Sequence, residues 1–266
     1  MIEVVCPHCG QSLQQEKAAF HCINGHSFDV ARQGYVNLLP VNQKHSLHPG
    51  DTREMVAARR SFLEAGHYLS IAQTLRELVL QHAPDAQTVL DAGCGEGYYL
   101  SHLNHIPARC GIDISKEAVR YAAGRDKHAL WLTATAAHLP FPDAAFDCVL
   151  SMFALTVAPE FARVLKKDGI YVQVLTGADH LTALRQIIYP EVQKKEKETQ
   201  AVLDGFRLLD SRVISFEFTL DSAEMVHNLL YMTPHVWRIS QEGAQALART
   251  EKLTDRAQVL FRVYQK

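Results

Sequence analysis

One segment constrains this chain more than any other: Val89-Leu90-Asp91-Ala92-Gly93-Cys94-Gly95-Glu96-Gly97-Tyr98-Tyr99. An apolar run ends in an acid, three glycines (Gly93, Gly95, Gly97) follow in alternation, and a helix is expected from Tyr98. Glycine accepts positive φ and leaves the backbone bare. A buried strand that turns into a helix at such a loop can therefore lay its main chain against a nucleoside. The spacing is not the dinucleotide pattern G-x-G-x-x-G, and no Lys-Ser/Thr follows it as in a phosphate-binding loop. Asp91 would repel a pyrophosphate and would suit an amine-bearing or cationic ligand.

From residue 86 onward, strand and helix patterns alternate. Strands are expected at Thr88–Ala92, Arg109–Ile114, Leu130–Thr133, Phe146–Met152 and Ile170–Leu175, with helices from Tyr98, at 116–124 and at 159–166. Such alternation implies a parallel sheet with helices on both faces and a ligand at the carboxyl ends of its strands. Asp113 ends the second strand about twenty residues after the glycine loop, where an acid can accept both hydroxyls of an adenosine ribose. The glycine loop resembles motif I of the class I methyltransferases, which bind S-adenosylmethionine (SAM). That resemblance implies an α/β, Rossmann-like fold with a mostly parallel seven-stranded sheet. It also places 134–141 beside the adenine, read by Thr135 or backbone groups. Residues 211–219 and 257–264 suit an antiparallel final pair of strands, interrupted by an insertion at about 220–250 that carries Met232-Thr233-Pro234-His235-Val236-Trp237-Arg238. Trp237 is there either a core filler or a base-stacking surface. Phe153-Ala154-Leu155-Thr156 forms the expected substrate edge. No Asn/Asp-Pro-Pro-Tyr/Phe and no Pro-Cys motif is present, which disfavours exocyclic-amine and C5-pyrimidine methylation, and Cys148 reads as core.

The N-terminus carries Cys6-x2-Cys9, a gap of twelve, then Cys22-x3-His26. Three thiolates and one imidazole make a tetrahedral zinc set with no open position, hence a structural ion. A disulfide framework does not suit the expected cytoplasmic compartment, and the redox reading of C-x2-C lacks a βαβ context. The module spans 1–38, too small for much core of its own, so metal would supply folding energy. Phe20, Phe28 and Tyr35 are expected to pack around the site. Residues 39–85 read as a linker and two helices, the first capped by Asp51 or Thr52 and running to about Ala65, the second at Leu69–His82. Arg53, Arg59 and Arg60 on the first helix read as a solvated face more than an RNA contact. The catalytic domain takes 86–266. The run 191–198 reads as a solvated helix face.

The whole chain has 266 residues, 47% hydrophobic, a net charge of −2 and six cysteines. No apolar stretch is long enough to span a membrane, Met1–Cys9 does not read as a signal peptide, and no global basic field announces nucleic acid. A cytoplasmic protein is expected. Taken together, the Cys6/Cys9/Cys22/His26 module, Gly34–Pro40, Pro49-Gly50-Asp51, Ala65-Gly66-His67-Tyr68, Asp91–Tyr99, His180-Leu181, Met232-Thr233-Pro234 and Trp237-Arg238 resemble the bacterial 23S ribosomal RNA guanine-N1 methyltransferases over nearly the whole chain. The resemblance implies methyl transfer from SAM to guanine N1 of 23S rRNA, a homodimer, and a zinc module that helps to hold RNA. By matching positions it implies SAM contacts at Tyr68, Glu96, Gly97 and His180, beside Asp91, Gly93, Gly95 and Asp113. Phe153–Thr156 departs from the family, which carries a Tyr followed by an Ala-Pro segment there. His180 and Asp147 are candidates for the group that takes the N1 proton. The rival readings are a small-molecule methyltransferase and a non-catalytic zinc-bearing RNA-binding protein.

Overall fold

The computed structural model describes residues 2–40, 49–189 and 202–266; residues 41–48 of the expected linker and the charge run at 191–198 lie outside the described residues. The chain begins with four short antiparallel strands, β1 (Val4–Val5), β2 (Ser12–Glu16), β3 (Ala19–Cys22) and β4 (Ser27–Asp29), joined in that order as a ribbon. Then come β5 (Tyr35–Asn37), α1 (Arg53–Glu64) and α2 (Leu69–His82). The alternating part follows: β6 (Thr88–Ala92), α3 (Tyr98–Ser101), β7 (Ala108–Asp113), α4 (Lys116–Arg125), β8 (Leu130–Thr133), β9 (Phe146–Met152), α5 (Ala158–Val164) and β10 (Leu165–Thr176). The chain closes with α6 (Thr182–Ile188), β11 (Arg207–Leu220), α7 (Ala223–Tyr231), a 3-10 turn at Pro234–Trp237, α8 (Gln241–Ala248) and β12 (Leu253–Gln265).

The main sheet runs β11-β12-β10-β9-β6-β7-β8-β5. β12 is antiparallel to both its neighbours and the other pairings are parallel. Chain order reverses at β6, which lies between β7 and β9, so a ligand crevice opens at the carboxyl ends of these strands. β6 is central and covered on both faces, which is why Val89, Leu90 and Ala92 are all apolar and fully buried. Seven strands stand where the sequence places them; the eighth is β5, which the sequence assigns to the end of the zinc module. Tyr35–Asn37 pairs in parallel with Trp131–Thr133 and extends the sheet edge. Tyr35 accordingly packs in the helix-side cluster with Phe62 and Trp131 rather than around the cysteines. The ribbon also contributes Val4, Leu13, Phe20 and Cys22 to a cluster on the opposite side, shared with Leu139, Phe141 and Phe146, and the Val5 N–H donates to the Pro140 carbonyl at 2.9 Å. Metal is thus not the module's sole support: it also buries apolar surface on the sheet.

The helix expected from Tyr98 is a single turn followed by tight turns to Ile106. Its entry is shaped by Trp131, which is almost fully buried and donates its indole N–H to the Asp126 carbonyl at 2.7 Å. A β-carbon on Gly111 would stand 2.3 Å from Cζ3 of that ring, and one on Gly97 would stand 2.7 Å from its Cη2. Two strands and the glycine loop therefore close on one tryptophan. Gly111→Ala is expected to cost about 1–3 kcal/mol by overpacking, read as a lower urea midpoint, with part of the loss recovered in Gly111→Ala/Trp131→Phe.

Candidate active site

The glycine loop leaves β6 with Gly93, Gly95 and Gly97 at φ of 90°, 55° and 82°. Side chains are excluded at two of the three for packing reasons as well: a β-carbon on Gly93 would meet Ala154 Cβ at 2.5 Å, and Gly97 lies on Trp131. The loop is pinned from the next strand. Asp113 ends β7, and its carboxylate accepts the Gly95 N–H at 2.9 Å and the Ser115 N–H at 2.8 Å. Burial pushes this carboxyl up, and the two N–H donors oppose the shift. Each carboxylate oxygen keeps a lone pair for the ribose hydroxyls the sequence assigns to it.

These residues form one end of a cavity of about 1210 Å³. Gly93, Gly95, Glu96, Asp113, Tyr68 and His180 all line it, together with Asp51 and Arg59. That volume exceeds the usual range of about 300–1,000 Å³ for a single small ligand. Its outer part is walled by Phe153, Tyr189, Met232 to His235, Trp237 and Arg238. Trp237 is 69% exposed, so it is a surface at the rim and not a core filler. The Tyr189 hydroxyl and His235 Nδ1, 2.8 Å apart, link α6 to the insertion. Glu96 is buried against Arg125, whose Nε donates to it at 2.9 Å, while its Oε1 has no hydrogen-bond partner.

Four sequence expectations change. Asp91 does not reach the cavity wall. Its carboxyl is wholly buried behind the loop without a hydrogen-bond partner, and burial, then the nearby Asp113, raises its pKa to about 7. Asp147 is not at the site: it is the second residue of β9, at the amino end of the sheet, where it binds Lys166 at 2.7 Å and caps the start of β6 through Gln87 and Thr88. His180 is at the site but ill-suited to take a proton. Its Nε2 meets the Tyr68 hydroxyl at 3.2 Å, its Nδ1 meets the Gln258 backbone, and burial lowers its pKa to about 4. Arg59 is no solvated side chain: it bridges the Asp51 carboxylate and the Met232 carbonyl across the cavity. The sequence signal for Arg59 was its helix position one turn after Met55, which also lines the cavity.

In the ribbon, Cys6, Cys9, Cys22 and His26 bring their donor atoms within 4.8 Å of one another. Cys9 Sγ and Cys22 Sγ lie 3.7 Å apart, and His26 Nδ1 lies 3.3 Å from Cys22 Sγ and 3.5 Å from Cys6 Sγ. A zinc tetrahedron with Zn–S of about 2.3 Å has S···S edges of about 3.8 Å, so these donors fit the ion. The Gln11 backbone N–H holds the Cys9 thiol down at about 6, which favours the thiolate a metal requires.

The buried Asp91 has a stability consequence. Its folded pKa of about 7 stands above the 3.8 of an aspartate in an unfolded chain, so the folded state holds a proton that the unfolded state has lost between those values. Stability therefore falls as pH rises through this window. Asp91→Asn is expected to melt higher than the parent at pH 8, with the gap shrinking toward pH 5; a gap independent of pH would contradict this.

Residues 4–47 match the zinc-ribbon family described as "RlmA, N-terminal", and residues 90–173 match a family described as "Methyltransferase domain". A Bacillus subtilis (strain 168) protein named "Putative 23S rRNA (guanine-N(1)-)-methyltransferase" is 32% identical, over 91% of this chain and 89% of its own length. A Micromonospora griseorubida protein with the same descriptive name is 39% identical over 67% of each chain. The "23S rRNA (guanine(748)-N(1))-methyltransferase" of Streptomyces fradiae is 38% identical over 67% of this chain and 65% of its own. With a likeness that covers 91% of this chain and 89% of the Bacillus relative, the chain belongs to the 23S rRNA (guanine-N1)-methyltransferase family.

Proposed function

We propose that this protein transfers a methyl group from SAM to N1 of a guanine in 23S rRNA. The observation that carries the reading is the single cavity that runs from the glycine loop and Asp113 to the exposed Trp237 and Arg238. One end suits an adenosine and the other an unstacked base with its phosphate, and the volume suits both at once. When bound, SAM supplies the methyl on its sulfonium; Asp113 would hold the ribose, the Gly93–Gly97 backbone would lie along the amino acid part, and Tyr68, Glu96 and His180 would close the pocket. The chain's own contribution is then placement: two reactants held in one cavity gain effective concentration, and guanine N1 would take the methyl as its bond to the sulfonium breaks, lose its proton to solvent water rather than to a dedicated base, and leave S-adenosylhomocysteine behind. His180 stays neutral there and fixes the wall through Tyr68.

Cys6, Cys9, Cys22 and His26 would hold one structural zinc. The ribbon would then hold RNA beside the site, with 1–38 as the metal module, 39–85 as connector and helices, and 86–266 as the methyltransferase domain. No helix among the described residues is long and apolar enough to cross a membrane. The family resemblance adds a cytoplasmic location and a homodimer to the proposal. No observation favours a small-molecule substrate, and the intact loop with Asp113 speaks against a non-catalytic role.

Mass spectrometry of 23S rRNA nucleosides from cells with and without the gene tests the reading. 1-Methylguanosine is expected to disappear with the gene; an unchanged level overturns the assignment. Asp113→Ala is expected to weaken SAM binding by roughly tenfold or more, two charged-acceptor hydrogen bonds being lost, while Asp147→Asn leaves the calorimetric Kd unchanged. Cys22→Ser is expected to abolish zinc retention and to lower the melting temperature of the ribbon, whereas full zinc content in that variant would exclude this ligand set.

A further inference from the structure

The residue after β9 breaks the rule of its strand. Along β9, Cys148, Leu150 and Met152 face the helix-side cluster and Val149 faces the opposite one. By alternation, residue 153 should follow Val149. It does not: Phe153 still donates its N–H to the Val174 carbonyl at 2.9 Å, as a strand residue would, but its φ is +55°. A left-handed conformation at a residue with a bulky side chain is strained and persists only where its surroundings hold it. They hold it here on both sides. Ala154 is seated on the bare Gly93, whose β-carbon would stand 2.5 Å from the Ala154 methyl. Ser151 Oγ donates to the Ala154 carbonyl at 3.2 Å, and Thr156 is tied to the Tyr171 hydroxyl and the Gln173 amide, each at 2.9 Å.

The effect is to turn an aromatic ring out of the sheet and into the cavity. Phe153 is 37% exposed, with its centroid 6.1 Å from that of Tyr99 and 6.3 Å from that of His180, on the same wall. Burial alone does not explain the ring, because more than a third of its surface stays open to the cavity while the backbone bears the strain. A flat apolar surface between the glycine loop and the Trp237 rim does suit the face of a nucleobase, which stacks on aromatic side chains.

We infer that Phe153 is the stacking platform for the acceptor base, turned into the cavity by its left-handed backbone and by the seat of Ala154 on Gly93. This rests on the proposed methylation of a guanine. The ring fixes the plane of the base, and with it the direction in which the ring nitrogen meets the donor. It is a substrate-contacting residue and no proton carrier.

The test compares the parent protein, Phe153→Leu and Phe153→Tyr. SAM affinity is measured by calorimetry, and 1-methylguanosine formation is followed on 23S rRNA isolated from cells that lack the gene. Phe153→Leu is expected to bind SAM within about threefold of the parent and to lose about 5- to 150-fold in kcat/KM for the RNA, the size of one base–aromatic stacking contact. Phe153→Tyr is expected to recover most of that loss. Unchanged RNA kinetics in Phe153→Leu overturns the inference, and so does a loss confined to SAM affinity, which would make the ring part of the cofactor wall. Absence of 1-methylguanosine with the parent protein overturns the guanine reading and this inference with it. That failure is told apart because no variant enters it.

Discussion

The contact on which the site depends is that of the bare glycine loop with its neighbours. Gly97 lets the loop rest on Trp131, Gly93 lets Ala154 rest on the loop, and Asp113 fastens Gly95 by its backbone N–H. A side chain at Gly93 would push the loop away from the segment after β9, and one at Gly97 would push it away from Trp131 on β8 and Ala122 on α4. The cavity is what remains in front of the loop once these contacts are made. The strands bring the loop there by hydrophobic burial, and the glycines allow it to stay.

The rest of the site is assembled on that loop by elements distant in sequence. Arg59 on α1 ties Asp51 to the carbonyl of Met232 in the insertion. Tyr68, before α2, meets His180, before α6. The Tyr189–His235 pair closes the outer end. Each of these contacts joins a segment outside the parallel core to another such segment, so the helices and the insertion form a wall shared by both halves of the cavity.

The core was legible because its signals are local. β6, β8 and β9 stand at the bounds their apolar runs mark, and Asp113 stands at the end of β7 as its position after the loop requires. The zinc set was legible from spacing alone, since two short knuckles can converge only on each other. β5 was not legible: three residues carry no period, and their partner β8 lies far along the chain. Asp91 and Asp147 show a different limit. Both are acids beside a promising motif, but side-chain direction buries the first and strand polarity puts the second at the wrong end of the sheet. The second could have been read from the sequence, because Asp147 opens its strand whereas Asp113 closes one. Whether Trp237 is core or rim depended on the packing of the insertion, which no local pattern specifies.

Everything in this site converges on delivery of the methyl of SAM to one ring nitrogen of guanine in large-subunit RNA. The most direct measurement incubates the purified protein with methyl-labelled SAM and unmodified 23S rRNA, then resolves the labelled nucleosides. Label is expected in 1-methylguanosine alone. Label in any other nucleoside, or none in the RNA, would contradict it.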